Sequence, residues 1–224
     1  MEVVNRDCTN DAEAQAELKA LGIKSLPVAV RGENVVVGYD VDRLREAFGI
    51  EQEGAGPLSS EKLLHYFEMV FDALRRVVRQ IPQETLEWVS PGRPRTLRQL
   101  TWHSFERPDL VMQAHATGEY TEEMVRRYET MANDYHTTED ICAYGDEIQA
   151  RLIDFFTDGG EALARKVSSY MGPITVHELM ILSLGHAFQH LRQTYHYFEM
   201  LEIVPEKPLQ PEDYEEVPVP KDLF

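Results

Sequence analysis

Cysteine is scarce. Cys8 and Cys142 are the only two in 224 residues, they lie far apart, and neither belongs to a CxxC. That excludes a disulfide framework and a thiolate zinc finger. Basic charge is short as well, with 22 Lys and Arg against 39 Asp and Glu, for a formal charge of −17. A surface that tracks phosphates needs clustered cations, and a field of this sign repels nucleic acid. Arg75-Arg76, Arg126-Arg127 and Arg93-Pro94-Arg95 are short and flanked by acids, so no nucleic-acid partner is expected. Long apolar runs are missing, since none approaches the roughly 18 residues of a membrane span. The start, Met1 to Cys8, has no basic-then-apolar leader, and the expectation is a cytoplasmic protein without a membrane partner.

What is present is a chain of ordinary hydrophobic content, 43%, long enough for one ample domain or a domain of about 150 residues with a smaller companion. Residues 1–50 read as β-α-β-β-α. Val3-Val4 closes a short apolar strand, and Asp11 to Leu21 is a helix stopped by Gly22. Ile23 to Val30 is a strand, Arg31-Gly32-Glu33-Asn34 turns, Val35 to Tyr39 pairs back, and Val41 to Phe48 is a closing helix. Residues 51–57 are a linker.

Beyond the linker the periodicity is helical and no convincing strand is seen. Ser60 caps a helix to about Gln80, with Leu63, Phe67, Val70, Phe71, Leu74 and Val78 at 3.6-residue spacing. Thr96 to Gln99 is a capping box opening a second helix, and residues 109–116 either extend it or start a new one. Thr121 to Ala132 is a shorter helix, and a third long one runs from Thr138 or Glu139 to about Phe156. Thr175 to Glu178 is a second capping box, opening a fourth helix to Met200 or Leu201. Four long amphipathic helices over 58–202 predict a bundle. Residues 203–224, acidic and rich in proline, predict an extended tail anchored by Val217, Val219, Leu223 and Phe224.

The chemistry gathers in Gly185 to Gln193. His186 and His190 are four apart, one helical turn, and share a face with Leu179, Leu182, Gln193 and Tyr197. Two imidazoles on an inward face are half of a transition-metal site. The ordinary reading is a pair of core histidines bonded to their neighbours. His103 on the second helix follows Leu97 and Leu100 at helical spacing and can converge with the pair in a bundle core. Glu106 and Gln193 each lie three residues past a histidine, placed to orient an imidazole or to act as a surface carboxylate and an interhelical amide. His65 is the rival fourth ligand, while His115, His136, His177 and His196 lie in loops, a capping turn or the wrong face. Arg192 is placed to meet an anionic substrate or a nearby acid. Tyr195, Tyr197, Trp102, Met69 and Phe71 read as core.

Two stretches resemble known families. Gly22 to Val30, the glycine turn and Val37-Gly38-Tyr39-Asp40 resemble the second half of a glutaredoxin-like thioredoxin fold, with Pro27 where that family has a cis proline. The family's redox CxxC has no counterpart here, so redox work through Cys8 does not carry over. The Thr96-Leu97 to His103 helix start, some eighty residues before Gly185-His186-x-x-x-His190-x-x-Gln193, resembles the DinB/YfiT superfamily of metal-binding four-helix bundles, over roughly 58–202. Leu191-Arg192-Gln193 lacks the glycine common at that point. The resemblances imply an α+β chain: a partial thioredoxin-like domain, then an all-α DinB-like bundle. They also imply that His103, His186 and His190 hold a divalent ion, with positions open for water or a low-molecular-weight thiol. Three imidazoles suit Zn²⁺ and accept Ni²⁺, Fe²⁺ or Mn²⁺. The expected function is a metal-dependent thiol transferase or hydrolase acting on a small molecule, as a homodimer. The alternative is a non-catalytic assembly protein braced by the metal.

Overall fold

The computed structural model describes residues 3–8, 11–23, 28–37, 41–49, 58–91, 94–157, 160–220 and 223. It is a mixed α+β chain with a small N-terminal sheet and a mostly helical remainder. The residues divide into two compact units, Met1–Gln52 with Tyr170–Ile174, and Glu53–Ser169 with Thr175–Phe224.

In the first unit Asp11 accepts from the backbone N–H groups of Glu13 and Ala14 and starts α1 (Ala12–Ala20). β1 (Val28–Arg31) and β2 (Asn34–Val37) form an antiparallel hairpin in which Val28 faces Val37 and Arg31 faces Asn34. Its turn needs Gly32, whose φ is +62°. α2 (Val41–Phe48) is tied to the hairpin by Arg31 Nη1 donating to the Phe48 carbonyl at 2.6 Å and Asn34 Nδ2 to that of Ala47 at 2.7 Å. Among the described residues the expected first strand is not formed. Val3 and Val4 are 77% and 78% exposed in irregular chain, held by Arg6 to Asp11 and Glu17 at 2.9 and 2.8 Å. Two β-branched residues that pair with no strand among the described residues do not form a ladder. Pro27 and the 51–57 linker lie outside the described residues.

The second unit is built on four long helices: α3 (Ser60–Gln80), α4 (Leu97–Thr117), α7 (Thr138–Thr157) and α8 (Val176–Met200), with α5 (Glu122–Arg126) and α6 (Tyr128–Met131) between the second and third. Ser59, not Ser60, caps α3 by accepting from Lys62 N. Both expected capping boxes are present, Thr96 with Gln99 and Thr175 with Glu178. α4 packs against α7 and α8 and is buried on nearly every side, including Trp102, His103, Phe105 and Glu106. It runs unbroken through Pro108 to Gly118, so residues 109–116 extend it.

The Phe71 and Phe105 rings meet edge to face at 5.0 Å. α7 approaches α4 so closely that a Cβ on Gly145 would sit 2.7 Å from the Phe105 ring. Leu63, Phe67, Phe71 and Leu74 of α3 are fully buried, at roughly 1.5–3 kcal/mol each relative to exposure. Short strands also occur where no convincing strand was expected. β3 (Glu119–Tyr120) pairs in parallel with β4 (Lys166–Ser169), and Gly172–Thr175 is a further strand. Two to four residues, half of them polar, are too few to show a period of two.

The tail lies along α8. Tyr214 stacks on Phe188 at 4.5 Å, Val217 is buried, and Val219 and Leu223 are half-buried. Tyr214 is an anchor that the sequence reading missed, and Phe224 lies outside the described residues. The chain passes so near Gly185 that a Cβ there would stand 2.5 Å from the Pro218 carbonyl oxygen. Lys62 pairs with Glu216 at 2.6 Å. Among the described residues no helix is long and apolar enough to cross a membrane.

Candidate metal centre

His103 on α4 and His186 and His190 on α8 meet in the bundle interior. Each offers a ring nitrogen, and these nitrogens all lie within 4.8 Å of one another. The His186 and His190 rings are 4.1 Å apart between centroids, as one turn of helix dictates, and His103 lies 4.8 Å from the first and 5.4 Å from the second.

The helices also hold the rings at their outer nitrogens. His103 Nδ1 is 2.8 Å from Glu106 Oε2, and His190 Nδ1 is 2.7 Å from Gln193 Oε1. In both cases the partner is three residues on, over the same turn. An Nδ1–H donated to an oxygen leaves Nε2 as the lone-pair nitrogen. Gln193 is bound on both sides of its amide: its Oε1 also accepts from Arg95 Nη2 at 3.0 Å, and its Nε2 donates to the Leu223 carbonyl at 2.8 Å.

Glu106 is 0% exposed and continues into a chain of charges. Arg127, between α5 and α6, spends its three nitrogens on one face of α4: Nε on Glu106 at 2.7 Å, Nη1 on Gln113 at 3.1 Å, Nη2 on Asp109 at 2.9 Å. Arg151 of α7 pairs with the other Asp109 oxygen at 2.6 Å. Burial pushes the Glu106 carboxyl up to about 7, against the pull of Arg127. His186 is held well below the ordinary imidazole range, first by burial and then by His190, His103, Arg107 and Arg95. It is therefore neutral, the form that binds metal.

The donor set fits a divalent transition metal. Three neutral imidazoles are a common catalytic ligand set, with ligand nitrogens roughly 3.4 Å apart around an ion at about 2.0–2.1 Å. The spread here exceeds that by little more than an ångström. His186 Nδ1 is also buried with no hydrogen-bond partner, a cost that an apolar core position does not explain.

Other residues from the sequence reading fall elsewhere. His65 is exposed on α3 beside Tyr66 and is not in the cluster. His177 donates to the Leu58 carbonyl at 2.7 Å, and His196 lies 3.6 Å from Glu199. Arg192 donates to Gln189 and to the Pro220 carbonyl, at 2.9 and 2.6 Å, so it holds the tail. Trp102, Tyr197 and Phe71 are core, while Tyr195 is half-buried and accepts from Leu209 N at 3.1 Å. Cys8 and Cys142 are both free thiols. Four residues at the centre were not anticipated: Arg95, Arg107, Arg127 and Tyr128, whose ring stacks on His103 at 4.0 Å. Only Arg107, one turn past His103, carries a signal in its spacing.

With this geometry in view, the family comparison is decisive. A model of the DinB superfamily matches residues 66–194, more than half of the chain and all three histidines. The chain belongs to the DinB superfamily. No curated protein matches it. The span matched to the DinB superfamily runs from within α3 to within α8 and contains all of α4 and the part of α8 that carries His186 and His190.

Proposed function

We propose that this DinB-superfamily protein is a metal-dependent enzyme. In this reading His103, His186 and His190 hold one divalent ion, Zn²⁺ foremost, which activates a low-molecular-weight thiol or water for transfer to, or hydrolysis of, a small molecule. A bound ion supplies Lewis acidity, lowering the pKa of a coordinated water or thiol toward neutrality. The residues of the chain then act around that centre. Glu106 and Gln193 fix ring orientation and tautomer, and burial keeps His186 neutral. The apolar helices limit solvent access.

One observation carries the proposal: two of three converging imidazoles have Nδ1 tied to a buried oxygen, which points their Nε2 lone pairs inward. The cluster holds three histidines with no fourth ligand among the described residues. That favours an open catalytic site over a closed structural one. The first unit is read as a degenerate thioredoxin-like module for packing, and the molecule as a homodimer, which a monomeric mass in light scattering would refute.

The deciding experiment is metal content by mass spectrometry on protein purified without a histidine tag, beside His186→Ala and His190→Ala. We expect close to one ion per chain, lost in both variants. A wild-type protein that takes up neither Zn²⁺ nor Ni²⁺ on dialysis would leave the bundle a binding or assembly module.

A further inference from the structure

Arg107 brings a cationic side chain to the centre. It lies one turn beyond His103 on α4, and its Nη2 is 3.5 Å from His103 Nε2, the nitrogen that Glu106 leaves with the lone pair. Its Nη1 donates to the Tyr120 hydroxyl at 3.2 Å. Its Nε is buried with no hydrogen-bond partner. No carboxylate among the described residues pairs with it. The nearby acids are committed elsewhere, Glu106 to Arg127 and Asp109 to Arg127 and Arg151.

Two consequences follow from charge and shape. A guanidinium beside three imidazoles, with no carboxylate paired to it, leaves positive charge at the site, and a divalent ion there would add to it. Tyr120 takes one corner of the fork and His103 Nε2 holds Nη2, but an ion bound at that Nε2 would use its lone pair and free Nη2, leaving the edge formed by Nε and Nη2 for a ligand. Two parallel N–H groups on such an edge match the two oxygens of a carboxylate. A lysine in this place would offer a point charge without that match.

We propose that the centre takes a small ligand carrying a carboxylate, and that Arg107 is the specificity residue that receives it across its Nε and Nη2 edge. The inference rests on the metal reading above and narrows its substrate class to anions. The carboxylate pairs with the Arg107 charge and gives the buried Nε its acceptor.

The test uses full-length protein loaded with Co²⁺, whose absorption reports on bound sulfur. 3-Mercaptopropionate and its neutral methyl ester are titrated separately, and the thiolate-to-cobalt charge-transfer band is followed. The acid is expected to bind about tenfold or more tightly than the ester, as a charge-assisted pair provides. Arg107→Gln should bring the two affinities together while leaving the ester unchanged, and Arg107→Lys should keep part of the preference. Circular dichroism checks that each variant is folded, and if Arg107→Gln is not, the wild-type and Arg107→Lys ratios decide. Equal affinity for acid and ester on wild-type cobalt protein overturns this proposal alone. So does a preference that survives in Arg107→Gln, or the absence of a band with either thiol. Failure to take up cobalt at all overturns the metal reading, and this proposal with it.

Discussion

His103 and His190 each give Nδ1 to a side-chain oxygen three residues further along the same helix, yet the two oxygens belong to different kinds of network. On the α4 side the acceptor is a fully buried carboxylate, continued by Arg127, Asp109 and Arg151. On the α8 side it is a neutral amide, continued by Arg95 and the backbone of the tail. A carboxylate partner makes an imidazole a stronger donor to a cation, whereas an amide orients the ring and adds little charge. One flank of the centre is thus electrostatic and anchored in the bundle. The other is geometric and coupled to the tail.

The sharpest way to break that asymmetry is Glu106→Ala. It takes from the half-buried Arg127 one of its two carboxylates while Asp109 and Gln113 remain, and losing a charged hydrogen-bond partner of this kind costs about 2–3 kcal/mol. Metal affinity, read by competition with a chelator, should fall about 10–100-fold. Gln193→Ala is the matching change on the other flank. It removes an acceptor from two donors and a donor from Leu223, costing about 2 kcal/mol in denaturant unfolding. Metal affinity should fall by about tenfold or less. Equal losses in the two variants would show that the flanks are equivalent.

pH sharpens the contrast further. The Glu106 carboxyl lies near 7 in the fold and near 4.5 in the unfolded chain, so between those values the folded state holds the extra proton. Stability of the metal-free protein from this group therefore falls as pH rises through that window. His186 does the reverse. Its folded pKa is depressed, so below the ordinary imidazole range the unfolded chain takes up the proton and stability falls as pH drops. Glu106→Gln should make the slope of stability against pH more positive between pH 5 and 6.5, and His186→Asn should make it more negative. Each change is at most about 1.4 kcal/mol per pH unit, and unfolding in chelator at several pH values measures it. Slopes that move together would contradict the assigned protonation states.

The smallest effect concerns the tail. Gly185→Ala places a methyl against the Pro218 carbonyl, and overpacking of this kind costs about 1 kcal/mol. The strain falls on the contact between α8 and the tail, so the main readout is faster proteolysis around Glu215-Glu216. A cleavage pattern like wild type would show that the contact is slack.

Much of the centre was legible because helices make local spacing spatial. His186 with His190, and each histidine with its partner three residues on, are neighbours by geometry alone. Bringing α4 against α8 needed only the apolar faces and the two capping boxes. What stayed hidden lies where no period operates. Arg127 reaches Glu106 from a break between two short helices, Arg95 sits just outside a helix start, and Tyr128 arrives on a four-residue helix. The missed strand pairing of β3 with β4 joins segments almost fifty residues apart by too few residues to leave a pattern. In the first unit, Val3-Val4 has strand-like composition but pairs with no strand among the described residues, and composition alone does not make a ladder.

The tail contact at Gln193 also sets an order in time. A chain made from its N-terminus exposes α3 and α4 to the cell long before α8, and domains generally fold as units during synthesis. At that stage only one of the three histidines has emerged, paired locally with Glu106, and one imidazole is a poor trap for a metal ion. His186 and His190 follow together some eighty residues later. Gln193 gains its last partner only once residue 223 has cleared the ribosome. In a chain that folds as it emerges, the hydrogen-bond network around the centre is therefore completed only after all four long helices have been made.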